Sequence, residues 1–299
     1  MMRRLYQAAA EACADIVVRV PALEGPFVRI GRIVWSAPGV GRFYRSAAHR
    51  VAQRIARAGT PFRRLNVCGT PLVLDATEFT TLELYFGGRV YEAATTTYLA
   101  GHLAPGQVFV DIGANHGYFS MLAAARVGSA GRVMAFEPNP AVFAQLQKHV
   151  ALNGFESRVA LSPMALSDAP DPAARFFVSQ VPTNSGLSSL TPPAETLAGG
   201  GLSDAHTIPV RVETFDRWFA ASGLDHVDLM KIDVEGAEAR VVAGMRATLV
   251  SGVITAIICE TVWGSPAHDA LSAAGYEPRT LDPVGSLSNV LYSRRGARA

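Results

Sequence analysis

The chain has 299 residues, 49% of them hydrophobic and 17% charged, with a positive mean hydropathy; it can bury a sizeable core and is not intrinsically disordered. Its three cysteines, Cys13, Cys68 and Cys259, are dispersed and form no C-x-x-C pair. This argues against a disulfide framework or a zinc site and suits a reducing compartment, so the expected location is the cytoplasm. No run reaches the ~18 apolar residues of a membrane span. Glu11 and Asp15 interrupt the signal-like start Met1-Met2-Arg3-Arg4. A net charge of +2 conceals an asymmetry: residues 1–65 hold twelve Arg and only Glu11, Asp15 and Glu24 (+9), and the remainder balances at −7.

In chain order, residues 1–61 read as a basic helical extension. Leu5, Ala9, Ala12, Ile16, Val20 and Leu23 recur at helical spacing, with Gln7, Glu11, Asp15 and Arg19 opposite. A second helix over about 42–58 gathers Tyr44, Ala48, Val51 and Ile55 on one side and Arg42, Arg45, Arg50, Arg54 and Arg57 on the rest. Such a helix can lie on an anionic membrane surface as a peripheral contact, hold a phosphorylated substrate, or pack with its arginines in water. An alanine-rich face with no bulky anchor beyond Phe43 and Tyr44 favours packing. Residues 62–299 form the main domain. It opens with a hairpin around Cys68-Gly69-Thr70-Pro71, followed by a helical stretch through Tyr91-Glu92 to Leu103.

From Pro105-Gly106 the pattern alternates. Strand 108–112 precedes helix 117–127, strand 132–137 precedes helix 140–153, and strand 158–165 comes next. Strand 227–232 precedes helix 236–250, strand 253–259 precedes helix 266–274, and Asn289–Tyr292 forms a last strand. This is the signature of an α/β domain with a doubly wound, mainly parallel sheet, whose ligands bind beyond the carboxyl ends of the strands. A Pro-, Gly- and Ser-rich insert, about 179–207, breaks the rhythm, flanked by strand-like Arg175–Val178 and Ile208–Glu213.

At the first strand end, Val110-Asp111-Ile112-Gly113-Ala114-Asn115-His116-Gly117 lacks the three-glycine dinucleotide spacing. Gly113 and Gly117 allow close backbone approach to a ligand, and Asp111 can accept from a ligand ammonium, directly or through water. His116 is as suited to capping or packing as to ligand contact. Glu137, twenty positions beyond Gly117, can accept both hydroxyls of a ribose. Ala165-Leu166-Ser167-Asp168 closes the third strand, where Asp168 can meet an adenine amine or cap a loop. At the fourth, Lys231, Asp233 and Glu235 alternate and share a face while the strand continues. Lys231 is one of two lysines against 25 arginines. In a catalytic reading Asp233 takes the proton of an attacking hydroxyl while Lys231 and Glu235 position substrate or base. In a structural one the same groups form a salt-bridged strand end.

With these residues assembled, the chain resembles the FkbM-type methyltransferases, which depend on S-adenosylmethionine (SAM). The resemblance covers approximately Phe62 to Val262. It rests on Tyr91-Glu92, the stretch from Val110 to Ser120, Phe136-Glu137-Pro138, Ala165-Leu166-Ser167-Asp168, Asn184-Ser185-Gly186-Leu187-Ser188-Ser189-Leu190, the stretch from Lys231 to Glu238, and Glu260. It implies a Rossmann-like, seven-stranded class I methyltransferase sheet with its core at about 105–262. SAM would be the cofactor, held by Asp111, Gly113, Asn115, His116, Gly117, Glu137 and Asp168. The implied reaction is O-methylation of a small-molecule, saccharide, glycolipid or polyketide-type acceptor. Asn184, Ser185, Glu238, Glu260 and Glu92 fall on its substrate side. No metal site is assigned, although Asp233, Glu235 and Glu238 have the chemistry for Mg²⁺.

Rival chemistries lack their residues. There is no Tyr-x-x-x-Lys pair, no Gly-Lys-Ser/Thr, no Gly-x-Ser-x-Gly and no His-Glu-x-x-His. Nucleic-acid binding lacks an aromatic platform among the arginines. The non-catalytic alternative is a ligand-binding protein on a degenerate methyltransferase fold.

Overall fold

The computed structural model describes residues 2–179, 185–191, 207–284 and 287–294. Two compact units emerge, one from Met1–Asn66 and Leu72–Ala93, the other from Val67–Pro71 and most of the chain from Ala94 onward. In the first, helices α1 (Met2–Arg19), α2 (Glu24–Val34) and α3 (Val40–Arg57) share a core. Tyr44, Ala48, Val51 and Ile55 of α3 are buried in it, as their spacing requires. Ala76, Leu82 and Phe86 join the same core, which carries this unit past residue 61. α2 is absent from the sequence reading because Gly25, Pro26 and Gly31 resemble a loop. Gly31 is needed where Tyr44 crosses: a Cβ there would lie 2.1 Å from the ring, whose hydroxyl donates to the Phe27 carbonyl at 2.5 Å.

The face of α1 corrects the periodicity reading. Ala10, Ala14 and Val17 are buried, while Leu5, Ile16, Val20 and Leu23 are exposed. Alanines let α1 approach the alanine-rich side of α3, and ion pairs fix the choice: Glu11 takes Arg50 (2.6 Å) and Arg54, and Asp15 takes Arg54 (3.0 Å). The hairpin of β1 (Phe62–Val67) and β2 (Thr70–Asp75) turns at Cys68-Gly69, both at positive φ, the two-residue turn that suits strand twist.

The second unit contains a seven-stranded sheet made of β3 (Val108–Ile112), β4 (Arg132–Phe136), β5 (Val159–Ser162), β9 (Val227–Ile232), β10 (Ile254–Thr261), β11 (Tyr276–Val284) and β12 (Leu287–Arg294). The order is β11-β12-β10-β9-β3-β4-β5, with β12 antiparallel to both of its neighbours and the other pairings parallel. The doubly wound sheet expected from strand–helix alternation is therefore present. Every residue of β3 is buried, as befits a central strand covered on both faces. The order reverses between β3 and β9, and ligands of such sheets bind at that switch point.

Three readings change. The segment 158–165 divides: β5 stays in the main sheet, while β6 (Ala165–Leu166) pairs with β8 (Thr207–Glu213) in a separate sheet with β7 (Asp171–Phe177). The insert's flanks thus do pair below it. β11 was missed because Pro278 and Pro283 interrupt its pattern, which an edge strand tolerates. The helix expected over 236–250 breaks into Glu238–Ala243 and Arg246–Ser251. Gly244 stands at the break because a Cβ there would lie 1.9 Å from the Ser167 carbonyl oxygen, and Asp216 accepts from Ala247 and Thr248 N–H, both at 2.9 Å, to start the second piece.

Two glycine substitutions should therefore have opposite signs. Gly244→Ala forces backbone apart and should cost about 2 kcal/mol or more. Gly101→Ala, inside the helix Ala93–His102 with nothing within 4 Å of the new Cβ, should add about 0.5–1 kcal/mol. Chemical denaturation of both variants checks the pair.

Candidate active site at the switch between β3 and β9

The carboxyl ends of three neighbouring strands are bonded backbone to backbone. Gly113 and Ala114 N–H both donate to the last carbonyl of β4, Phe136, at 3.1 and 2.9 Å, and Asp233 N–H donates to Ile112 at 3.0 Å. Gly113 has φ +86°, and a Cβ on it would lie 1.8 Å from the Asp233 carbonyl oxygen. Glycine is thus required here by the crossing of two strand ends, a constraint additional to ligand approach. Gly117, at φ +88°, would press a Cβ against Leu146 at 2.4 Å.

Lys231 is the centre of the site. It is 2% exposed, donates to Asp233 Oδ2 at 2.6 Å, and its Nζ lies 4.6 Å from the centroid of the Phe119 ring. The β3–β9 register sets it beside Asp111. Asp111 is itself 2% exposed and accepts the Ser120 hydroxyl at 2.6 Å. Burial raises its pKa to about 6, against the pull of the Ser120 hydrogen bond and the Lys231 charge. Asp111 therefore lies in a buried cluster with Lys231 and Ser120, directly before the glycine turn. Among the described residues no hydrogen bond engages Asp233 Oδ1, which leaves that oxygen for an acceptor.

Glu137 ties two loops together. Its Oε1 accepts Asn139 N–H at 2.8 Å and its Oε2 accepts Asn115 N–H at 3.0 Å. Burial pushes its pKa up to about 7 in spite of both bonds. Each oxygen keeps a lone pair, so the carboxylate can still accept a pair of hydroxyls. Asn115 sits in the left-handed region (φ 50°), and its Oδ1 is buried without a partner. That orphaned acceptor and the paired-hydroxyl geometry of Glu137 fit a ligand bearing donors, as the ammonium and ribose of SAM are. The His116 carbonyl bonds to His149 Nδ1 at 2.6 Å, which fixes the turn from the helix Pro140–Asn153.

The remaining candidates are distributed differently. The strand stops at Ile232 and Glu235 turns at φ 54°, so the expected alternation ends at Asp233. Glu238 is turned inward: its Oε1 accepts Val234 and Gly236 N–H, both at 3.1 Å, and burial raises its pKa. Through Oε1 it shapes the loop that follows Asp233. Asp168 follows β6, not the third strand of the main sheet, and is half exposed in an ion pair with Arg240 at 2.9 Å. The Ser167 hydroxyl and Arg240 hold its pKa down. Glu260 lies near the carboxyl end of β10, one strand beyond β9. Glu92 falls in the first unit, at φ 40°. Asn184 lies outside the described residues, as does the side chain of Ser185, whose backbone opens a short turn to Leu187.

Sequence reasoning missed Phe119, Ser120 and Ser189. Buried Ser189 exchanges backbone hydrogen bonds with Phe177 and donates its hydroxyl to the Val234 carbonyl at 3.2 Å, fastening part of the insert over the Asp233 loop. A serine within a Ser-rich insert carries no signal of burial. Among the described residues no group of three or more His, Cys, Asp or Glu is disposed to hold a metal.

The chain is 29% identical over 166 residues to the methyltransferase sdnD of Sordaria araneosa. That match takes in 50% of this chain and 64% of the relative, so it spans less than two thirds of that protein. Similar crystal structures include a methyltransferase FkbM from Methylobacillus flagellatus (13% identity, TM-score 0.41, 94% of this chain and 60% of that one). Another is precorrin-6y C5,15-methyltransferase from Geobacter metallireducens (14% identity, TM-score 0.40, 68% and 87%). The model of the methyltransferase FkbM domain matches residues 111–272, from the buried Asp111 through the Lys231–Asp233 strand end to the last helix, and by that match the chain belongs to the FkbM methyltransferase family.

Proposed function

We propose that this protein is a SAM-dependent O-methyltransferase of the cytoplasm, acting on a hydroxyl of a small molecule, sugar, glycolipid or polyketide-type compound, with Asp233 as the base. The observation that carries this reading is Asp233 itself. One carboxylate oxygen is held by a buried lysine, the other takes part in no hydrogen bond among the described residues, and its backbone packs against the glycine turn of the cofactor side. SAM supplies an electrophilic methyl on a sulfonium. Glu137 receives the ribose hydroxyls, while Asn115, Gly113, His116 and Gly117 line the approach to the amino acid end.

Methyl transfer needs the acceptor oxygen in line with methyl and sulfur, and alignment supplies much of the rate. A neutral hydroxyl is a poor nucleophile, so the Asp233 carboxylate would take its proton as the new C–O bond forms and the methyl–sulfur bond breaks, the electron pair staying on sulfur as the thioether of S-adenosylhomocysteine. Lys231 holds one oxygen of that carboxylate and so orients it, and Asp111, bonded to Ser120, lies beside Lys231 in the strand register. No Asn/Asp-Pro-Pro-aromatic segment of amine-methylating enzymes follows β9, where the chain reads Asp233-Val234-Glu235-Gly236, which supports oxygen over nitrogen. Glu235 and Glu260, at the ends of neighbouring strands, and the 184–190 segment stand on the acceptor side of this reading.

Asp233→Asn should keep the Lys231 contact and SAM binding yet lower transfer ~10²–10⁴-fold. Radiolabelled methyl transfer into a lipid-and-glycan extract, with calorimetry of SAM binding, measures both. Unchanged turnover would remove Asp233 as base, and SAM binding without transfer by the parent protein would favour the degenerate ligand-binding alternative. Lys231→Met should also destabilise the fold, by about 3–5 kcal/mol, because it leaves two carboxylates facing each other.

The pH dependence of SAM binding tests Glu137. Its pKa is about 7 without ligand. Hydroxyls donating to the carboxylate lower that value in the complex, so affinity should fall as pH drops through about 7. The fall is at most about tenfold per pH unit, and Glu137→Gln should flatten it. Calorimetric affinity that stays constant across neutral pH would refute the ribose role.

A further inference from the structure

The apolar face of α1 has no partner in its own unit. Leu5, Ile16, Val20 and Leu23 recur along one side of the chain from α1 into the turn after it, with exposures of 63, 55, 46 and 37%. On α2, Ile30 and Ile33 are 55 and 82% exposed, opposite the buried Phe27, Val28 and Gly31. These six are among fifteen exposed large apolar side chains in the described residues, and they fall within the first 33 positions. Isolated exposed leucines are ordinary, whereas a periodic exposed face marks a binding surface.

The charges say what covers it. All three acids of residues 1–65 are spent internally: Glu11 on Arg50 and Arg54, Asp15 on Arg54, and Glu24 on Arg63. Arg19, Arg29, Arg32, Arg42, Arg57 and Arg64 take part in no ion pair among the described residues. Arginines outside ion pairs in the same helical unit as exposed aliphatic faces match a layer of anionic headgroups over hydrocarbon. A second copy of the chain would set like charges against each other. α3, the more basic helix, cannot supply the apolar half, because its face is consumed by the unit's core. No helix among the described residues is long and apolar enough to cross a membrane, so the contact is with the surface.

We propose that the N-terminal helical unit docks on an anionic lipid bilayer, burying the aliphatic faces of α1 and α2 at the headgroup boundary while the arginines outside ion pairs bond lipid phosphates. The test is flotation of the full chain with vesicles of phosphatidylcholine alone or mixed with phosphatidylglycerol. The chain should float with the mixed vesicles, not with the neutral ones, and should be released by high salt. Combining Ile16→Ser with Ile33→Ser should weaken partitioning about tenfold, as should Arg29→Glu with Arg42→Glu. All four positions are exposed, so thermal stability and SAM binding should stay unchanged. Protein that fails to float with anionic vesicles, or that floats equally after both pairs of substitutions, overturns the proposal. So does a dimer in sedimentation velocity that the isoleucine pair dissociates, which would assign the face to a second copy. Flotation that depends on the arginine pair alone would reduce the contact to electrostatic adsorption and refute burial of the aliphatic faces.

Discussion

A buried ammonium needs carboxylates, and meeting that need at Lys231 organises the rest of the site. Its neighbours are fixed by topology: Asp111 stands beside it in the β3–β9 register, and Asp233 follows two residues later, just past the end of its own strand. The Phe119 ring closes the cluster beneath the charge. Removing water from such a group costs several kcal/mol, which only close, well-oriented partners offset. Lysine and both aspartates therefore hold one another in place, and the open oxygen of Asp233 acquires a fixed direction without a dedicated support. On the proposed reading of Asp233 as base, its orientation would follow from the same interaction that makes the strand end foldable.

The surroundings of that cluster are short of positive charge. Asp111, Glu137 and Glu238 are buried, and desolvation raises the pKa of each. Lys231 is the one lysine in this group of acids. On the proposed reading, a sulfonium ligand would supply the missing charge, and its hydroxyls and ammonium would supply donors for Glu137 and for Asn115 Oδ1, which is buried with no partner among the described residues. Binding would then relieve part of the desolvation cost that folding leaves in place.

The legible parts of the sequence were those where one residue type has one use. Apolar strands covered on both faces, the glycine turn, and a buried strand lysine bonded to the carboxylate two residues on all stand where the sequence puts them, because few other structures tolerate them. Carboxylates were harder. Glu238 and Asp168 have the composition of ligand-facing groups, yet one binds two backbone N–H groups of its own loop and the other an exposed arginine. A carboxylate accepts a backbone amide, a guanidinium or a ribose equally well, so spacing alone does not tell which. The break at Gly244 was hidden because its cause, the Ser167 carbonyl, lies far away in sequence.

α1 shows the same limit from the other side. Periodicity finds the larger apolar residues and assigns them to the core, but packing rewards close approach as well as bulk. Ala10 and Ala14 let α1 meet the alanine-rich side of α3, and Glu11 and Asp15 reach Arg50 and Arg54 only from that orientation. Rotating the helix to bury Leu5 and Ile16 would break those ion pairs and wedge larger side chains into an alanine seam. The helix therefore carries two apolar faces of different kinds, small residues inward and branched ones outward. Natural sequences seldom leave branched residues in water at helical spacing unless another surface covers them, and the uncompensated arginines nearby specify the sign of that surface.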